Sequence, residues 1–123
     1  MLTVNSAKFY ENFQTKDNQV SFSEEYTSLT SPNYPTDPKT IILAIDFHAN
    51  EDINGHWFIR VALDEQVIYE TALSHIELED VGNGKDVGFM GNINDIVFPK
   101  TGIYNFDIIF KDSIVHSIPL ALQ

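Results

Sequence analysis

The feature that most constrains this chain is a two-residue hydrophobic period that recurs from Thr40 to Leu120 with no competing helical period. Thr40 to Phe47 places Ile41, Leu43, Ile45 and Phe47 on one face, and Trp57 to Leu63 places Trp57, Ile59, Val61 and Leu63 on one face with Arg60 opposite. Successive side chains of an extended strand point to opposite sides, so such runs make one dry and one wet surface. β-branched and aromatic residues suit that pleat. The strongest run is Ile103 to Phe110, where Tyr104, Phe106, Ile108 and Phe110 line one face and Ile103, Asn105, Asp107 and Ile109 the other. Apolar residues nowhere recur at i, i+3, i+4 and i+7 over three turns, so no long helix is expected.

Turn chemistry divides the alternating runs. Asp64-Glu65 joins the Trp57 run to Gln66 to Thr71, which predicts a hairpin. Ser74 to Glu79 alternates Ile76 and Leu78 against His75, Glu77 and Glu79, a strand with one face in water. Val81 to Asp86 reads as a glycine-punctuated turn, because Gly and Asn accept positive φ. A phosphate cradle there would need a following helix and a completed glycine-rich spacing, and neither is present. Ile93 to Phe98 is the next expected strand, Pro99 to Gly102 a turn, and Lys111-Asp112-Ser113 the link to a strand over Ile114 to Leu120. Pro119 marks an edge or the end of pairing. The first 38 residues are the least patterned. Lys8 to Phe13 and Gln19 to Phe22 read as short strands, and the prolines at 32, 35 and 38 make residues 31–38 a crossing.

A chain of 123 residues, 43% hydrophobic, is one domain's worth and carries enough apolar area to fold. The expectation is a single all-β domain over residues 1–123: an antiparallel two-sheet sandwich, immunoglobulin-like or Greek-key, with seven to nine strands and little helix. With no cysteine, disulfides, thiolate nucleophiles and cysteine-based zinc sites are excluded. The first ten residues lack an apolar leader, and no run approaches 18 apolar residues, so a cytoplasmic chain with no membrane span is expected. Fourteen Ile and ten Asn point weakly to an AT-rich genome.

Charge is concentrated in the middle of the chain. Between Asp46 and Asp95 stand eleven acidic residues against Arg60 and Lys85, a net −9 of the chain's −11. Such a field repels nucleic acid and anionic membrane and attracts basic protein surfaces. Glu77, Glu79 and Asp80 are the leading candidates for partner binding. At least two of these carboxylates share a strand's wet face about 7 Å apart, a spacing close to that of successive phosphates. Asp64 and Glu65 follow, then Glu51 and Asp52. The plainer alternative is a solvated face that keeps a sheet soluble and blunts an edge. A glycosidase pair would have suitable carboxylate separation, but exposed strand neighbours lack the enclosed pocket.

His48, Glu51, Asp52 and His56, with Asn50 and Asn54, could supply metal ligands, yet neither the His-Glu-x-x-His spacing nor a twelve-residue calcium loop is completed. A polar surface loop is the better reading there, and no metal or cofactor is expected. His75 and His116 stand alone on strands. Nucleophilic catalysis has no foothold, since there is no Gly-x-Ser-x-Gly elbow and no cysteine. Seven basic residues are too few and scattered to clamp phosphates, so direct nucleic-acid binding is not expected. Trp57 belongs to an apolar strand face and reads as core.

The stretch Phe98-Pro99-Lys100-Thr101-Gly102-Ile103-Tyr104-Asn105-Phe106-Asp107-Ile108 resembles the corner and strand near the end of many immunoglobulin-like sandwiches. That resemblance implies that the Tyr104 hydroxyl ties back to the preceding corner. Residues 42–122, with Phe58 to Val67 as the earlier hairpin, are similar to a family of small β-sandwich domains of unknown function from bacterial and phage genomes. In type alone, a small, acidic, cysteine-free chain resembles phage-encoded inhibitors, including anti-CRISPR proteins, that occupy the basic nucleic-acid channel of a host defence enzyme such as Cas9. The function expected from these readings is non-enzymatic binding of a basic, nucleic-acid-binding host surface. The alternative is a structural or carbohydrate-binding β-sandwich module. Oligomeric state is left open by the sequence.

Overall fold

Alternation along the chain is realised as two sheets whose dry faces meet, in a computed structural model that describes residues 1–123. The strands are β1 (Leu2–Tyr10), β2 (Phe13–Lys16), β3 (Gln19–Phe22), β4 (Glu25–Tyr26), β5 (Ser28–Leu29), β6 (Lys39–Ala49), β7 (Ile53–Leu63), β8 (Gln66–Glu70), β9 (Ser74–Leu78), β10 (Lys85–Ile96), β11 (Gly102–Phe110) and β12 (Ser113–Leu122). One sheet runs β10-β6-β1-β4, the other β5-β12-β11-β7-β8, and β9 pairs with β7 on the same edge as β8. All pairings are antiparallel except the two-residue contact of β5 with β12. No helix forms, and therefore none is long and apolar enough to cross a membrane.

The sandwich is as expected, but its elements differ from the sequence reading in three ways. There are twelve strands rather than seven to nine, because the N-terminal third contributes five, two of them only two residues long. The strand expected at Ile93 to Phe98 is the tail of β10, which begins at Lys85 and ends at Ile96. The polar surface loop read around His48 to His56 shrinks to Asn50–Asp52, since β6 and β7 continue into it.

Phe47, Val61, Tyr104, Phe106 and Ile108 are fully buried, and Phe110 is 8% exposed, so the four-residue face of β11 points inward as its period requires. Twenty-five buried residues from Leu2 to Leu122 form one contiguous core drawn from both sheets. Phe9 of β1 meets Phe106 of β11 edge to face at 4.9 Å, and Phe47 of β6 meets Trp57 of β7 at 5.2 Å, so aromatic contacts bridge the layers. Pro119 lies within β12 on the side that β5 leaves unpaired, as an edge proline should.

The corner before β11 is tied as the resemblance implied. Tyr104 donates its hydroxyl hydrogen to the Lys100 carbonyl at 2.7 Å and accepts from the Lys100 N–H at 3.3 Å. Gly102 turns the chain at φ 148°, and a Cβ there would stand 2.8 Å from Leu63 Cδ1, so only glycine fits. The proline-rich crossing is pinned to the same corner, with Thr36 N donating to the Phe98 carbonyl and Phe98 N donating to Thr36 Oγ1 at 3.1 Å.

Candidate functional site

Three tight connections and the N-terminus collect at one end of the sandwich. The register fixes this: Leu2 and Lys85 both face Ala49, Ile53 faces Leu78, and Phe110 faces Trp57. Asn50–Asp52, residues 79–84 and Lys111–Asp112 are therefore neighbouring loops. Short turns favour residues that tolerate positive φ, and Asp80, Gly82 and Asp112 supply it at 54°, 63° and 66°. Val81 is buried between these polar residues and anchors the loop.

At this end Asp52, Glu77, Glu79 and Asp80 line a shallow concavity of 230 Å³ with Asn54, Ile53 and Leu78. All four carboxylates are exposed and none forms an ion pair; Asp52 Oδ1 accepts from the Val81 N–H at 3.4 Å. The leading candidates, Glu77, Glu79 and Asp80, are thus joined by Asp52. Glu51 stands beside them but is engaged by the Met1 ammonium, whose hydrogen bond and charge hold its carboxyl below the usual range, with Lys111 adding to the effect.

Asp64 and Glu65 do not belong to this group. They form the β7–β8 turn, and β7 runs eleven residues from Ile53 to Leu63, so about 35 Å of strand separates them from Asp52. Three other acids of the central stretch are spoken for on the sheet faces. Asp46 accepts from Ser6 Oγ at 2.9 Å, Asp86 meets His48 Nδ1 at 2.6 Å, and Glu70 meets Arg60 Nε at 3.4 Å. The acid-rich stretch is therefore not one face. His48 and His56 project from the outer faces of different sheets, and His56 lies against His75, which contacts Asn54 Oδ1 at 2.7 Å. The set His48, Glu51, Asp52 and His56 is not brought to one point.

A second feature has no counterpart in the sequence reading. β8 and β9 pair with successive halves of β7, and where the chain passes between them at Thr71–Leu73 the sandwich edge stays open opposite β10. A cleft of 230 Å³ enters there between the sheets, walled by Leu43 and Ile45 of β6, Trp57 and Ile59 of β7, and Phe89 and Ile93 of β10. Thr71 closes one side, accepting from Ile59 N at 2.9 Å and donating its own N–H to the Ile59 carbonyl. Trp57 is 4% exposed, and its indole Nε1–H is sealed from water with no acceptor in the protein. Leaving a buried donor unpaired costs about 1–3 kcal/mol. The one available signal was Gly91 within a strand, which marks a missing side chain.

Residues 13–123 match a family model described as "Family of unknown function (DUF6941)". No curated protein matches the chain.

Proposed function

We propose that this chain, which belongs to the DUF6941 family, is a non-enzymatic binding protein whose acidic end engages a basic protein surface. The observation that carries this reading is the group Asp52, Glu77, Glu79 and Asp80, four exposed carboxylates around one concavity with no cation among them. Asp46, Glu51, Glu70 and Asp86 of the same stretch have protein partners, whereas Glu77, Glu79 and Asp80 have none and Asp52 accepts only from the Val81 N–H. Loops at the end of a rigid sandwich suit recognition, because the sheets hold them in place without constraining their chemistry.

The partner we propose is a nucleic-acid-processing protein of the host, with Cas9 the first to test, and the chain is read as a cytoplasmic inhibitor of anti-CRISPR type carried by a phage or mobile element. Arg and Lys side chains that hold a nucleic-acid backbone would pair with Glu77 near the end of β9 and Glu79 just beyond it. Association with Cas9, measured at 50 and 500 mM salt, tests this. The reading predicts an association rate at least about tenfold slower at high salt, since screening over about 10 Å at 0.1 M removes steering first. Binding with a flat salt response would assign recognition to an apolar surface instead, and absence of binding would exclude Cas9.

A further inference from the structure

We infer that β10 is the seam of a symmetric dimer, in which a second copy of this chain continues the sheet by pairing its own β10 antiparallel to the first. β10 ends the order β10-β6-β1-β4, so one of its two edges has no strand beside it. The register decides which peptide groups face that edge. The His48 carbonyl accepts from Thr3 Oγ1 on the β1 side of β6, so even positions of β6 bond towards β1 and odd positions towards β10. The pairs of Phe47 with Val87, Ile45 with Phe89 and Leu43 with Gly91 are therefore hydrogen-bonded, which turns the N–H and C=O groups of Gly88, Met90 and Asn92 outward. Asn94 follows the same parity, its carbonyl accepting from the Tyr69 hydroxyl at 3.2 Å. None of the backbone bonds outside the sheets reaches Gly88, Met90 or Asn92.

An unpaired edge invites another strand, and folds usually blunt it. The other edges of this sandwich are blunted. β1 is broken by its bulge and capped by β4, β12 carries Pro119 and β5, and β8 and β9 are five residues each. β10 runs twelve residues, and Val87 to Asn94 within it hold neither a charge nor a proline. Exposed Val20, Phe22 and Phe89 border the same stretch, lining one concavity with Gly88 and Met90.

The residues of β10 complement one another across a two-fold axis at Met90. Val87 then faces the partner's Ile93, Gly88 the partner's Asn92 and Phe89 the partner's Gly91, so each glycine is covered by a larger side chain. In this register Lys85 comes level with the partner's Asp95 at both ends of the seam. Displaced by two residues in either direction, which keeps the faces matched, Lys85 would face Ile93 or Val97. Only the first arrangement joins opposite charges. The outward groups of Gly88, Met90 and Asn92 would exchange about six backbone hydrogen bonds with those of the second copy.

Sedimentation of the whole chain between ~10 µM and ~2 mM tests the dimer. One strand pair is smaller than a standard interface, so a Kd of ~0.1–1 mM is expected, with the mass rising from 14.0 kDa towards twice that value. Each copy carries −11, so association should tighten between about 50 and 500 mM salt, the opposite sign to engagement of a basic partner by the acidic end. Amide exchange at Gly88, Met90 and Asn92 should slow as concentration rises, while Val87 and Phe89, already bonded to β6, should not change. Met90→Pro removes an outward donor, which an edge strand tolerates, and should leave the chain folded while weakening association at least about tenfold. Lys85→Glu should weaken it by about threefold to tenfold, since it sets like charges at both ends of the seam. A constant 14.0 kDa up to ~2 mM overturns the inference and leaves this edge to a strand of another protein. It is equally overturned by a folded Met90→Pro that associates like the wild type, or by protection that grows elsewhere and not at the three outward amides.

Discussion

Tyr104 is fully buried, yet its hydroxyl keeps two hydrogen bonds to the Lys100 backbone, so it stitches the corner at residues 99–102 to the core. Tyr104→Phe keeps the ring and loses only those bonds; urea denaturation should show a loss of about 1–2 kcal/mol. Tyr26 is the more pH-sensitive tyrosine. Stacked on Phe9 at 5.9 Å, it is pushed up to about 12 by burial and then by the charge of Glu11, and burial also raises Tyr104. A phenol that holds its proton more tightly when folded stabilises the fold below its unfolded pKa and loses that contribution as pH rises through the folded one. Thermal melts should therefore fall in midpoint between pH 10 and about 12, and Tyr26→Phe should flatten that fall. An unchanged slope in the variant would remove Tyr26 as its source. The tyrosine corner was legible because its motif is local, five residues from Lys100 to Tyr104. Trp57 was read correctly as core, but its unpaired Nε1–H was not legible, since pairing depends on which strands surround it.

Elements with an unbroken period were read well, and those with a broken one were missed. β11 presents Tyr104, Phe106, Ile108 and Phe110 without interruption. Phe106→Ala should cost about 3–5 kcal/mol, because the cavity would lie where Phe9 packs from the opposite sheet. A loss below 1 kcal/mol on denaturant unfolding would contradict that packing. β1 shows why the N-terminal segment looked patternless: a bulge between Val4 and Ser6 shifts the phase, so Leu2 and Val4 on one side of it and Ala7 and Phe9 on the other share an inner face despite their parity. β10 hides its period differently, for Gly88 and Gly91 erase one position on each face. The β2–β3 hairpin pairs only with itself and touches the sandwich through Tyr10 and Phe22, stacked at 4.4 Å. Two strands alone are marginal in water. Its amides should exchange with solvent orders of magnitude faster than those of β6 or β11, and equal protection would contradict its peripheral standing.

At the scale of the whole molecule, the fold turns a stretch of charge into separate features. The net −9 between Asp46 and Asp95 was legible as a number but not as a surface, because adjacent strands send neighbouring acids to opposite faces and opposite ends. Asp46 and Asp86 go to one outer face, Glu70 to the other, Asp64 and Glu65 to the far turn, and Asp52, Glu77, Glu79 and Asp80 to one concavity. That partition gives the proposed function a spatial content that net charge lacks. The most direct test compares association rates with a basic nucleic-acid-processing partner for two variants at low salt. Glu77→Gln, Glu79→Gln and Asp80→Asn combined should slow association by about tenfold with the melting temperature preserved, since exposed charges contribute little to stability. Asp64→Asn with Glu65→Gln, about 35 Å away along β7, should slow it by less than about twofold. Equal loss per charge removed at the two ends, or no loss at either, would contradict the account.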